Sequence, residues 1–164
     1  MKTLVAGIGN IFLGDDGFGV EVAARLRGAD LPDGVRAEDF GIRGVHLAYE
    51  LLDGYDALVM IDAVPMGEPP GTVALIEPDP AGDVPGSAGP AMDAHSMNPA
   101  VVLQMLAAMG GQIGRVVVVG CQPSVIDEGM GLSPPVEAAV ERGVAAVHEV
   151  LAELCIPNEE RSRA

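Results

Sequence analysis

The sequence predicts an α/β chain folded as a three-layer αβα sandwich, with a five-stranded, mostly parallel sheet as its middle layer. Three observations carry that prediction. Short apolar runs alternate with amphipathic stretches along the chain. Three of these runs, TLVAG (3–7), ALVMID (57–62) and RVVVVG (115–120), are almost wholly apolar, as strands covered on both faces must be. One connection, AVPMGEPPG (63–71), is too short and too rich in Pro and Gly to hold a crossover helix, so the strand after it should run antiparallel at an edge.

The elements follow in order. TLVAG is the first strand. Over residues 16–27, Phe18, Val22 and Leu26 recur at four-residue spacing and predict a helix. VRAEDF (35–40) is the second strand, and a helix over 44–53 places Val45, Ala48, Leu51 and Leu52 on one face. ALVMID is the third strand and TVALIE (72–77) the antiparallel edge strand. Asn98-Pro99 opens a helix over 99–109 with Val102, Met105, Leu106 and Met109 on its apolar face. RVVVVG is the fifth strand. The last helix, 134–154, carries a long stripe of Val136, Val140, Val144, Val147, Leu151 and Leu154, with Ser133-Pro134 as cap and first-turn pair.

A single domain over 1–156 is expected, followed by a polar tail, PNEERSRA (157–164), that should fray. The segment DPAGDVPGSAGPAMDA (79–94) holds nothing that forms a regular element. Loops of that length inside a compact domain are usually functional or mobile.

Composition removes several function classes. With 164 residues, 49% of them hydrophobic, the chain can bury a real core. Its 24 acidic and 9 basic side chains give a net charge of −15. Nucleic-acid phosphate and anionic membrane surfaces would both be repelled. Cys121 and Cys155 form no CxxC, which excludes a disulfide scaffold and a thiolate zinc site. The N-terminal MKTLVAGIGN lacks the features of a signal peptide, and no run reaches the length of a membrane span. A reducing, cytoplasmic setting is expected.

Chemistry concentrates in GNIFLGDDGFG (9–19). Gly7-Ile8-Gly9 begins like a dinucleotide fingerprint, but the third glycine would fall at position 12, which is Phe12. Asp15 and Asp16 then stand where a pyrophosphate needs helix N–H groups and no negative charge. One aspartate has an ordinary use as a helix cap. The other is spare, and a carboxylate in such a turn can face an open cleft. Asp62 closes the third strand, so it should reach the same carboxyl-end rim if strands one and three are neighbours. His95, in the loop before the 99–109 helix, is expected there too. His46 and His148 are expected to be surface or satisfied residues. Two carboxylates and one imidazole suit nickel, zinc, cobalt or manganese, with coordination positions left open for a substrate.

GIGNIFLGDDGFGVEVAARL (7–26), VMIDAV (59–64), DAHSMNP (93–99) and VVGCQPSVIDEGMGLSPPVEAAV (118–140) together resemble the hydrogenase maturation proteases. These endopeptidases trim the C-terminal extension from nickel–iron hydrogenase large-subunit precursors. The resemblance implies that Asp16, Asp62 and His95 are the acidic and histidine contacts to a metal. That metal is nickel already loaded into the precursor, and another divalent ion can occupy the site in isolation. It implies the large-subunit precursor as partner, and a monomer is expected. The family is often grouped with aspartic-type peptidases. Under it, 79–94 becomes a flap over the precursor's tail. Two other classes compete: a non-catalytic nickel-binding chaperone with the same ligands, and a flavodoxin-like ligand module, which the failed phosphate fingerprint disfavours.

Overall fold

The computed structural model describes residues 1–78 and 99–155. The expected loop 79–94, His95 and the tail 157–164 lie outside the described residues. Five strands form one sheet: β1 (Thr3–Ile8), β2 (Val35–Gly41), β3 (Ala57–Ala63), β4 (Val73–Ile76) and β5 (Arg115–Cys121), in the order β2-β1-β3-β5-β4. The β1–β2, β1–β3 and β3–β5 pairs are parallel, and β4 pairs antiparallel with β5 at the edge. The short 63–71 link therefore does reverse the chain. The strand it delivers pairs with β5, which enters between β3 and β4.

Alternation along the strands feeds two cores. Val5, Val59, Ile61, Val117 and Val119 pack beneath α1 (Phe18–Arg27) and α4 (Pro134–Leu154). Leu4, Ala6, Ile8, Leu58, Met60 and Val118 pack on the other side with α2 (Gly44–Leu51) and α3 (Pro99–Ala108). This is the three-layer arrangement expected, and it explains the unbroken apolar runs. Phe18, Val22 and Leu26 are fully buried, each contributing about 1.5–3 kcal/mol from removal of apolar surface.

Two helix faces differ from the expectation. In α2 the buried residues are Leu47, Ala48 and Leu51, while Val45 is 47% and Leu52 42% exposed. In α3 they are Pro99, Val102, Leu103 and Leu106, and Met109, just past the helix, is exposed. Both helices offer more apolar side chains than one stripe can hold, so packing against the sheet selects among them. In α4 the expected stripe is buried except for Val144, which is partly buried, and it is widened by Ala139, Gly143 and Val150.

The topology fixes where a site can form. The chain leaves β1 for β2 on one side, then returns over β1 to reach β3 on the other. Strand order reverses between β1 and β3, and the crevice beyond their carboxyl ends is the natural ligand position in such a sheet. Close approach of α1 to this point depends on Gly19. A Cβ there would lie 2.1 Å from the Ile61 carbonyl oxygen and 2.4 Å from that of Ile8. Among the described residues, no helix is long and apolar enough to cross a membrane.

Candidate active site

Between β1 and α1 the chain makes a short 3-10 turn, Gly14–Gly17, that carries both aspartates. Gly9 permits this turn to fold back: its φ is +130°, and a Cβ there would sit 1.9 Å from the Asp16 carbonyl oxygen. The capping role expected for one aspartate is not what the structure holds. Neither the 3-10 turn nor α1 has a side-chain cap.

Asp15 instead points away from its own helix and is fully buried. Its Oδ2 accepts the amides of Ser124 and Val125, each at 2.8 Å, and the Ser133 hydroxyl at 2.8 Å. Its Oδ1 accepts the Ser133 amide at 2.7 Å. Burial opposes the charge, but the donors from Val125, Ser133 and Ser124 outweigh it and hold the carboxyl below its ordinary range. Ser133 is indeed the N-cap residue of α4, yet its hydroxyl serves Asp15 and not the helix. Backbone bonds run alongside: Gly14 N–H to Gly129 O, Asp15 N–H to Val125 O and Gly129 N–H to Phe12 O, all at 2.9 Å.

Asp16 has a different environment. It is partly buried, and its Oδ2 accepts the Asn10 amide at 2.8 Å. Burial pushes its carboxyl upward, and the Asn10 amide only partly offsets that. Asp62 is the last polar residue of β3, 3% exposed, and its Oδ1 is buried with no hydrogen-bond partner among the described residues. Burial first, and the neighbouring Asp16 charge second, hold the Asp62 carboxyl well above the ordinary carboxylate range. An orphaned buried carboxylate oxygen costs about 1–3 kcal/mol or more, so it marks a place where a proton or a cation belongs.

Parity along β3 puts Asp62 on the face of Leu58 and Met60, under α2 and α3. The two helices run alongside each other, since a Cβ at Gly111 would meet both Leu106 and Leu52 near their carboxyl ends. Pro99 therefore stands at the same end of the sheet as Gly44 and the crevice. Of the three expected site residues, the structure brings Asp16 and Asp62 together, and His95 lies outside the described residues. Among the described residues no group of three or more His, Cys, Asp or Glu is placed to hold a metal. His46 and His148 are exposed, as expected.

Sequence reasoning missed the residues that hold the site in place. Ser124, Val125 and Ser133 bind Asp15. Gln122 follows β5 and holds the loop beyond Asp62, its Oε1 accepting the Met66 amide at 2.5 Å. No local pattern in the sequence around 122–135 signals what this segment grips. A cavity of about 710 Å³ opens by the N-terminal end of β5, lined by Leu103, Leu106 and the Arg115–Glu77 ion pair. It lies at the far end of the strands from the aspartates and shares nothing with them.

The fold and site together define a small doubly wound α/β protein with two close carboxylates at its switch-point crevice. The family model described as hydrogenase maturation protease matches residues 20–150, and this chain belongs to that family. A putative hydrogenase maturation protease of Methanocaldococcus jannaschii is 34% identical over 148 residues, covering 88% of this chain and 92% of that protein. The hydrogenase expression/formation protein HupD of Rhizobium leguminosarum is 33% identical over 92% of this chain and 74% of its own length. Among solved structures, the hydrogenase maturating endopeptidase HybD from E. coli superposes with a TM-score of 0.80 at 30% identity, over 98% of this chain and 99% of that one. Membership makes the chain a protease of hydrogenase maturation.

Proposed function

We propose that this chain removes the C-terminal extension of a nickel–iron hydrogenase large-subunit precursor already loaded with nickel, and that Asp16, Asp62 and His95 contact that nickel. The observation that carries the reading is the unpartnered, buried Oδ1 of Asp62 beside Asp16 at the β1/β3 crevice. Two adjacent acids with no cation between them oppose each other; a divalent ion arriving with the substrate removes the opposition. Asp16 commits one bond to Asn10, and hard oxygen donors with one imidazole fit nickel. His95 is four residues before Pro99, a span of up to about 14 Å in extended chain.

The isolated chain holds nickel weakly in this reading, because its donors come from separate segments and the remaining ligands belong to the precursor. When bound, the precursor's nickel supplies Lewis acidity near the scissile carbonyl. The chain's own residues do the rest. Asp62 or Asp16 accepts a proton from the attacking water as its oxygen bonds to the carbonyl carbon. The proton then passes to the departing amide nitrogen as the C–N bond breaks. The desolvated position of Asp62 suits this, since burial and the Asp16 charge strengthen its hold on a proton taken from water.

The test is the mass of the large subunit in cells carrying Asp62→Asn or His95→Ala. Retention of the extension in both is expected. Normal trimming in both would reject the assignment. Purified chain incubated with nickel-loaded precursor separates protease from chaperone, because a chaperone leaves the extension in place.

A further inference from the structure

We propose that Asp15 is a positioning residue for the catalytic turn. Its carboxylate anchors residues 14–17 to the 124–133 loop and the start of α4, and so sets where Asp16 stands in the crevice. The inference rests on the reading of this chain as a peptidase that works through Asp16.

The two neighbouring aspartates divide the work. Asp15 is fully buried and spends both oxygens on the scaffold, receiving bonds from Ser124, Val125 and twice from Ser133. Asp16 receives one bond, from the Asn10 amide, among the described residues. A side chain held by a single local donor takes its position from the backbone beneath it. That backbone is clamped on both sides. The Asp16 carbonyl lies against Gly9, and the Gly14 and Asp15 amides bond to Gly129 and Val125 across the gap. Removing the Asp15 carboxylate would leave three backbone amides and a hydroxyl without their acceptor and release the loop that the turn leans on.

The donor set around this residue calls for a carboxylate. Ser124, Val125 and Ser133 present only donors to it, three of them converging on Oδ2. Asparagine has the same shape, but its NH₂ replaces one acceptor oxygen and faces N–H groups with an N–H group. Misplacing a reacting group by about 1 Å costs on the order of a hundredfold in rate.

The experiment compares wild type with Asp15→Asn and with the milder Ser133→Ala, which removes one donor and leaves the acid. Three quantities are measured: thermal unfolding, steady-state cleavage of nickel-loaded precursor at a temperature where the variants are folded, and NMR hydrogen exchange of the Asn10 amide. In Asp15→Asn, kcat should fall about a hundredfold with KM changed less than about twofold. The Asn10 amide should exchange about tenfold faster or more, while the Val59 and Met60 amides of β3 stay protected. Ser133→Ala should show the same pattern at several-fold size. Lowered melting temperature with wild-type kcat and an unchanged Asn10 amide would overturn the proposal. If Asp15→Asn does not fold, Ser133→Ala decides on the same readouts. Wild type that leaves the precursor uncut defeats the peptidase reading instead, and the Asn10 amide then decides the positioning role alone.

Discussion

The carboxylate of Asp16 stands close enough to Asp62 to resist its ionisation, although the two residues come from different connections of the sheet. Burial of Asp62 adds to the same effect. The result is an acid that stays protonated above the usual carboxylate range, in a crevice that lacks a counter-charge among the described residues.

This arrangement costs stability in a pH-dependent way. Below about pH 4 Asp62 is protonated folded or unfolded and contributes nothing. As pH rises, the unfolded chain ionises first and the folded chain binds the extra proton, so stability falls until the raised folded value is passed. Asp62→Asn removes that slope. The variant's melting temperature relative to wild type should climb as pH rises above about 4, at about 2–4 °C per kcal/mol. A difference that stays flat with pH would show that Asp62 ionises normally. Asp15 has the opposite sign: its depressed carboxyl stabilises the fold above its unfolded value and loses that contribution on acidification.

Nickel binding by the isolated chain should be weak and should strengthen with pH, because the cation must displace the proton that Asp62 retains. Equilibrium dialysis at two pH values measures this. Tight, stoichiometric nickel at both would contradict the view that the precursor supplies part of the ligand set.

Thiol chemistry should play no part. Burial, and after it the Asp15 charge, push the Cys121 thiol up to about 11, so its reactive thiolate is scarce at neutral pH. Cys155 is exposed. Alkylation of the native protein should label Cys155 and spare Cys121, and Cys121→Ser should retain cleavage. Loss of cleavage on mild alkylation would point to a cysteine nucleophile instead.

Two glycines should separate stability from activity. Gly19→Ala drives a methyl into the Ile61 and Ile8 carbonyls and should lower stability by about 1–3 kcal/mol or more, read as a fall in melting temperature. Gly9→Ala meets the Asp16 carbonyl at a φ of +130° and carries a strain of about 1–3 kcal/mol. Its larger effect should be on kcat, through the displaced Asp16. Equal kcat per folded molecule in both variants would argue against that distinction.

Much of the fold was legible because it depends on periodicity. Three unbroken apolar runs required a sheet covered on both faces, and the Phe18, Val22, Leu26 spacing placed α1 against it. The link 63–71 was too short for a helix, which was enough to reverse β4. Selection of the buried side chains of α2 was not legible, since Val45 and Leu47 are equally apolar and only contact with the sheet favours Leu47.

By itself the sequence determined the order of the elements, the carboxylates at two strand ends and the absence of a phosphate loop. Tertiary structure alone decided which of the adjacent aspartates is spent on the scaffold. That choice depends on amides at Ser124, Val125 and Ser133, which fold back onto Asp15 from the other end of the chain. Hydrogen-bond donors so distant in sequence leave no periodic trace, because a carboxylate's partner is set by where the backbone returns and not by what lies beside it.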